Sequence, residues 1–75
     1  MTKQEKKQLR ELVDKIEDIQ ANISVMVIQE QTRLDSIGDG LSQMDRATKL
    51  EENIDSLEDA EEMLGDVITT LEEIL

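Results

Sequence analysis

Residues 35–46, DSIGDGLSQMDR, hold two of the chain's three glycines, Gly38 and Gly40, near the middle of its 75 residues. The stretch admits three readings: a calcium loop, the interior of one continuous coiled-coil helix, or the bend of a helical hairpin. As an EF-hand it has Asp35, Asp39 and Gly40 where loop positions 1, 5 and 6 require them. Position 3 is Ile37, however, and position 12, where a bidentate glutamate closes the shell, is Arg46. A cation there repels calcium, so no metal is expected. As a helix interior, the two glycines cost about 2 kcal/mol. As a bend, every residue has a use. Gly38 can end the first helix in a left-handed conformation, and Asp39-Gly40 is turn chemistry. Ser42 with Asp45, or Thr48 with Glu51, can cap the second helix.

The flanks support the bend. Before it, Leu9, Leu12, Ile16, Ile19, Ile23, Met26 and Glu30 recur at alternating spacings of three and four. After it, Leu50, Ile54, Leu57, Glu61, Leu64, Ile68, Leu71 and Leu75 do the same. Such seams pack helix on helix. They mirror each other about residue 40: Leu9 faces Leu71, Leu12 faces Ile68, Ile23 faces Leu57, Met26 faces Ile54. Lys3, Lys6 and Lys7 at the start of the first helix, and Glu72 and Glu73 at the end of the second, each oppose their own helix dipole. Folding back sets them side by side. The predicted fold is all-α: an antiparallel two-helix hairpin, a helical coiled coil, dimerising into a four-helix bundle. Residues 1–75 form one domain, with helix 1 over about 3–35, a bend at 36–41 and helix 2 over about 42–75.

Residues 25–44, VMVIQEQTRLDSIGDGLSQM, resemble the middle of a Q-type SNARE helix, with layer-like positions at Ile23, Met26, Glu30, Leu34, Ile37, Leu41 and Met44. The central layer departs from that pattern, since Glu30 stands where glutamine belongs, between Gln29 and Gln31. The whole chain is similar to small acidic helical proteins of unknown function from phages and prophages of Gram-positive bacteria. The shared features are a Lys-rich start, the run QEQTRLDSI, a short interruption, and an acidic helix such as KLEENIDSLEDAEEML. That resemblance implies no site residue.

The chain has no Cys, His, Pro or aromatic residue. Thiolate and imidazole metal sites, disulfides and histidine-dependent triads are therefore excluded. No cofactor is expected and no catalytic residue can be nominated, so the chain is read as non-enzymatic. The charged start MTKQEKKQLRELVDK lacks an apolar signal-peptide core, and the longest apolar run is Val25–Ile28, far short of a membrane span. A cytoplasmic protein is expected. Its net charge of −11 is uneven: residues 1–35 sum to −1, residues 36–49 to zero and residues 50–75 to −10. Direct nucleic-acid binding and adhesion to an anionic membrane are both disfavoured.

Two surfaces stand out as interaction candidates. On helix 2, Glu51, Glu52, Asp55, Glu58, Asp59 and Glu62 present closely spaced carboxylates. They suggest an acidic inhibitor that mimics nucleic acid and binds a protein with a basic surface. Val13, Val27, Ile28, Val67 and Ile74 extend the apolar stripes beyond a two-helix seam. They are the expected homodimer face, and an assembly module acting through it is the alternative function. Glu30 and Glu61 read as polar positions that set the register of the seam.

Overall fold

The structure is a computed structural model that describes residues 1–38 and 41–75, with side chains in the second segment from Gln43 onward. Asp39 and Gly40, assigned above to the turn, lie outside the described residues. Helix α1 spans Lys3–Asp35 and α2 spans Leu41–Glu72. The two lie alongside each other in an antiparallel hairpin about 60 Å long, 15 Å wide and 11 Å deep. Helix α1 begins with a capping box. The Thr2 hydroxyl accepts from the Glu5 amide at 3.1 Å, and the Glu5 carboxylate accepts from the Thr2 amide at 3.0 Å. Two of the first turn's free donors are thereby satisfied.

The end of α1 differs from expectation. Ser36, right-handed at φ −92°, turns its amide back to the carbonyls of Thr32 and Arg33, and its hydroxyl also donates to Thr32. Gly38 does not adopt a left-handed φ. The serine satisfies the last carbonyls, so no left-handed residue is needed there. The start of α2 is corrected too: it begins at Leu41, upstream of both proposed caps. Thr48 is an interior residue whose hydroxyl donates to the Met44 carbonyl one turn back.

The seam of α2 is the predicted row, from Leu50 to Leu75, extended towards the bend by Ala47 and Gln43. The seam of α1 is not. The residues of α1 that are not exposed are Leu9, Val13, Ile16, Gln20, Ile23, Ser24, Val27, Glu30 and Leu34, and Ile37 just past its end continues the row. Val13 is 4% exposed, whereas Leu12, Ile19 and Met26 are each 51% exposed. The helix is rotated by one row. The row through Val13 and Val27 continues to Leu34 at the bend, whereas the row through Leu12 and Met26 runs into Arg33. Burying the first row is cheaper, despite Gln20, because it avoids burying a guanidinium.

The register shifts with the rotation. Gln20 meets Glu61 and Gly65, Ser24 meets Glu61, and Glu30 meets Asn53. The partners' numbers add up to 81–85 rather than the 80 of the mirror pairing, a slip of up to about one turn. Leu9, Val13 and Ile68 form the core towards the termini, with Leu50 and Ile54 towards the bend. The lysines of the first turn do not pair with Glu72 or Glu73. Arg33–Glu30 is the one ion pair among the described residues.

Candidate interaction face

Seen as heptads with Val13 and Ile16 at positions a and d, α1 places Ser24 at e and Met26 at g. Helix α2, with Ile54 at a and Leu57 at d, places Gly65 at e and Asn53 at g. In an antiparallel pair, like flanks meet. One broad face of the hairpin therefore carries the e and b positions of both helices, and the other carries g and c.

The e side is a polar node. The Gln20 amide donates to the Glu61 carbonyl at 3.0 Å, and the Ser24 hydroxyl donates to the Glu61 carboxylate at 2.7 Å. A Cβ added at Gly65 would stand 3.2 Å from the Gln20 amide nitrogen. The missing side chain leaves the Glu61 carbonyl open to a second donor. No buried polar side-chain atom lacks a partner among the described residues.

The g side has a different chemistry. On α1 its rows read Gln8, Leu12, Lys15, Ile19, Asn22, Met26, Gln29 and Arg33. On α2 they read Lys49, Asn53, Ser56, Ala60, Met63, Val67, Thr70 and Ile74. None of these sixteen is acidic, in a chain with 19 carboxylates; Glu5 holds the g position at the start of α1 and Arg46 the one at the start of α2. Fifteen of those carboxylates lie at b, e and f, while Glu5 is tied into the capping box and Glu30 and Glu61 sit in the seam. Asp39, outside the described residues, completes the count. Six apolar side chains on this face are largely exposed: Leu12, Ile19 and Met26, with Met63 at 64%, Val67 at 42% and Ile74 at 47%. Lys15, Arg33, Arg46 and Lys49 give it four cations.

Glu30 lies where the seam meets this face, in a shallow groove lined also by Met26, Asn53, Ser56 and Leu57. Asn53 donates to one of its carboxylate oxygens at 3.1 Å, and Arg33 holds the other. The Asn53 hydrogen bond, then Arg33, lower the Glu30 carboxyl below the ordinary glutamate value. The Thr2 backbone and hydroxyl do the same for Glu5.

The sequence-derived dimer face divides. Val67 and Ile74 are exposed on the g side, but Val13 and Val27 are spent on the intramolecular seam, and Ile28 is 65% exposed at a b position on the opposite face. Leu12, Ile19 and Met26, expected in the seam, are instead exposed on the g side. Heptad positions of the charges, rather than hydropathy alone, carried the missed signal. The acidic candidates Glu51, Glu52, Asp55, Glu58, Asp59 and Glu62 are all exposed, at e, f and b around α2. Among the described residues no cluster of three or more acidic side chains is placed to hold a metal ion, and no helix is long and apolar enough to cross a membrane. No family model, curated protein or solved structure matches the chain.

Proposed function

We propose that this protein is a non-enzymatic protein–protein interaction module that assembles through the carboxylate-poor broad face of its hairpin. The single supporting observation is the sorting of charge. In a chain of net charge −11, sixteen consecutive positions of this face on two helices carry no acid and six exposed apolar side chains, with Glu5 alone at its edge. A merely solvated face has no need of that pattern, since carboxylates there would favour solubility. The chemistry of the face suits burial against protein: apolar centre, neutral amides and hydroxyls between, a few cations at the rim.

A second reading rests on the −10 carried by residues 50–75. The six outward carboxylates of α2 would bind a basic groove on a nucleic-acid-binding protein, in the manner of an acidic inhibitor. Their spread over three heptad positions gives a diffuse negative surface rather than a single track, and this places it second.

Photo-crosslinking residues at position 19 or position 59, introduced separately in cells, distinguish the two. Adducts from position 19, with none from 59, are expected. Adducts from position 59 alone would transfer the function to the acidic surface.

A further inference from the structure

We infer that the occupant of the carboxylate-poor face is a second copy of this chain, docked antiparallel to give a four-helix bundle; this rests on the interaction-module reading above. Area, shape and charge all suit a second copy. A broad face of about 60 by 15 Å offers on the order of 900 Å² per copy, which is what one partner contributes to a stable interface of standard size. Another two-helix layer of the same length and the same heptad supercoil covers it end to end.

Its apolar centre is also self-complementary. In the observed register the exposed side chains alternate between helices along the axis: Ile74, Leu12, Val67, Ile19, Met63, Met26. Ile19 and Val67 fall near the middle of that sequence. A two-fold axis there sets Leu12 and Ile74 of one copy against the Met26 region of the other, an isologous contact. Antiparallel docking also carries Arg33 and Lys49, at the bend end, towards Glu5 at the termini end of the other copy.

Charge supplies the reason for a second copy rather than another face. Two chains of −11 repel unless their carboxylates point apart. Docking through the g side turns the b, e and f carboxylates of both copies outward; of the acids left beside the contact, Glu30 is already held by Asn53 and Arg33, and Glu5 by the Thr2 amide. Every other face would press carboxylates together.

Sedimentation of the full chain from about 1 to about 200 µM, spanning the affinities of ordinary dimers, is the test. The expected species has twice the 8.5 kDa chain mass. Ile19→Lys with Val67→Lys weakens association at least about 100-fold, because it buries unpaired ammonium groups at the centre. The doubly substituted chain keeps its helical circular dichroism, since neither residue belongs to the hairpin seam. Val25→Lys with Ile28→Lys, equally exposed but off this face, leaves the dimer intact. A wild-type monomer throughout the range overturns the proposal, as does a dimer that survives the first pair or is lost with the second. A monomer whose position-19 crosslinker captures a different protein also overturns it, while the interaction-module reading stands. Adducts only from position 59 remove both.

Discussion

Gly65 and Gln20 are a pair of residues whose identities make sense only together. Glycine inside a helix costs about 1 kcal/mol relative to alanine. Here its absent side chain opens the Glu61 carbonyl to Gln20, and so satisfies the one amide in the seam of α1. Gly65→Ala alone should change stability little, its propensity gain offset by a Gln20 hydrogen bond worth about 1 kcal/mol. In a Gln20→Ala background the same substitution should stabilise by close to the full propensity difference. Denaturant unfolding of the four chains measures the coupling, and equal effects in both backgrounds would remove the link. At the other polar node, Glu30 titrates below the ordinary glutamate range because Asn53 and Arg33 hold its charged form. Its pKa is depressed on folding, so its contribution is present above the unfolded glutamate value and fades as pH falls through the folded one. Carboxyl NMR should show that titration moving upward in Asn53→Ala, and an unchanged value would remove Asn53 as the cause.

Each helix was legible in the sequence to a different depth. Helix α2 has one apolar row and could be placed by periodicity alone, because its flanks are acidic, small or polar over most of their length. Helix α1 has two candidate rows that share Leu9, Ile16, Ile23 and Glu30. Hydropathy favours Ile19 over Gln20 and so selects the wrong one. What decides is a long-range fact, the carbonyl beside Gly65, together with the continuation of the row to Leu34. The bend was legible as a bend but not in its chemistry, since Ser36 bonds back to Thr32 where a left-handed Gly38 was expected. Rotation of α1 has a direct energetic consequence. Val13→Ala should destabilise by roughly 2 kcal/mol, for lost methyl burial and an imperfectly closed cavity. Leu12→Ala should cost the hairpin less than about 1 kcal/mol when measured on the Ile19→Lys, Val67→Lys chain, where no partner covers it. The opposite order would restore the seam read from hydropathy.

For the whole molecule, the sequence shows apolar residues in excess of a two-helix seam, but where they lie depends on the rotation of α1. With net charge −11 and a narrow core, self-repulsion is a large opposing influence on the fold. Added salt should therefore raise the midpoint of thermal unfolding at neutral pH, as screening shortens the Debye length to about 10 Å at 0.1 M. A midpoint that falls with salt would point instead to stabilisation by attractive ion pairs. The central claim is narrower: α1 folds back on α2 with Ser24 against Glu61, leaving Leu12, Ile19 and Met26 outside. The chain has no cysteine, so paired cysteines report on it without interference. Oxidised Ser24→Cys, Glu61→Cys chains should form a disulfide within one chain, running as a monomer on denaturing, non-reducing gels. A straight helix would hold those residues about 55 Å apart, and the hydropathy-derived seam would turn position 24 outward. A crosslink only between chains, or none at all, would contradict the account.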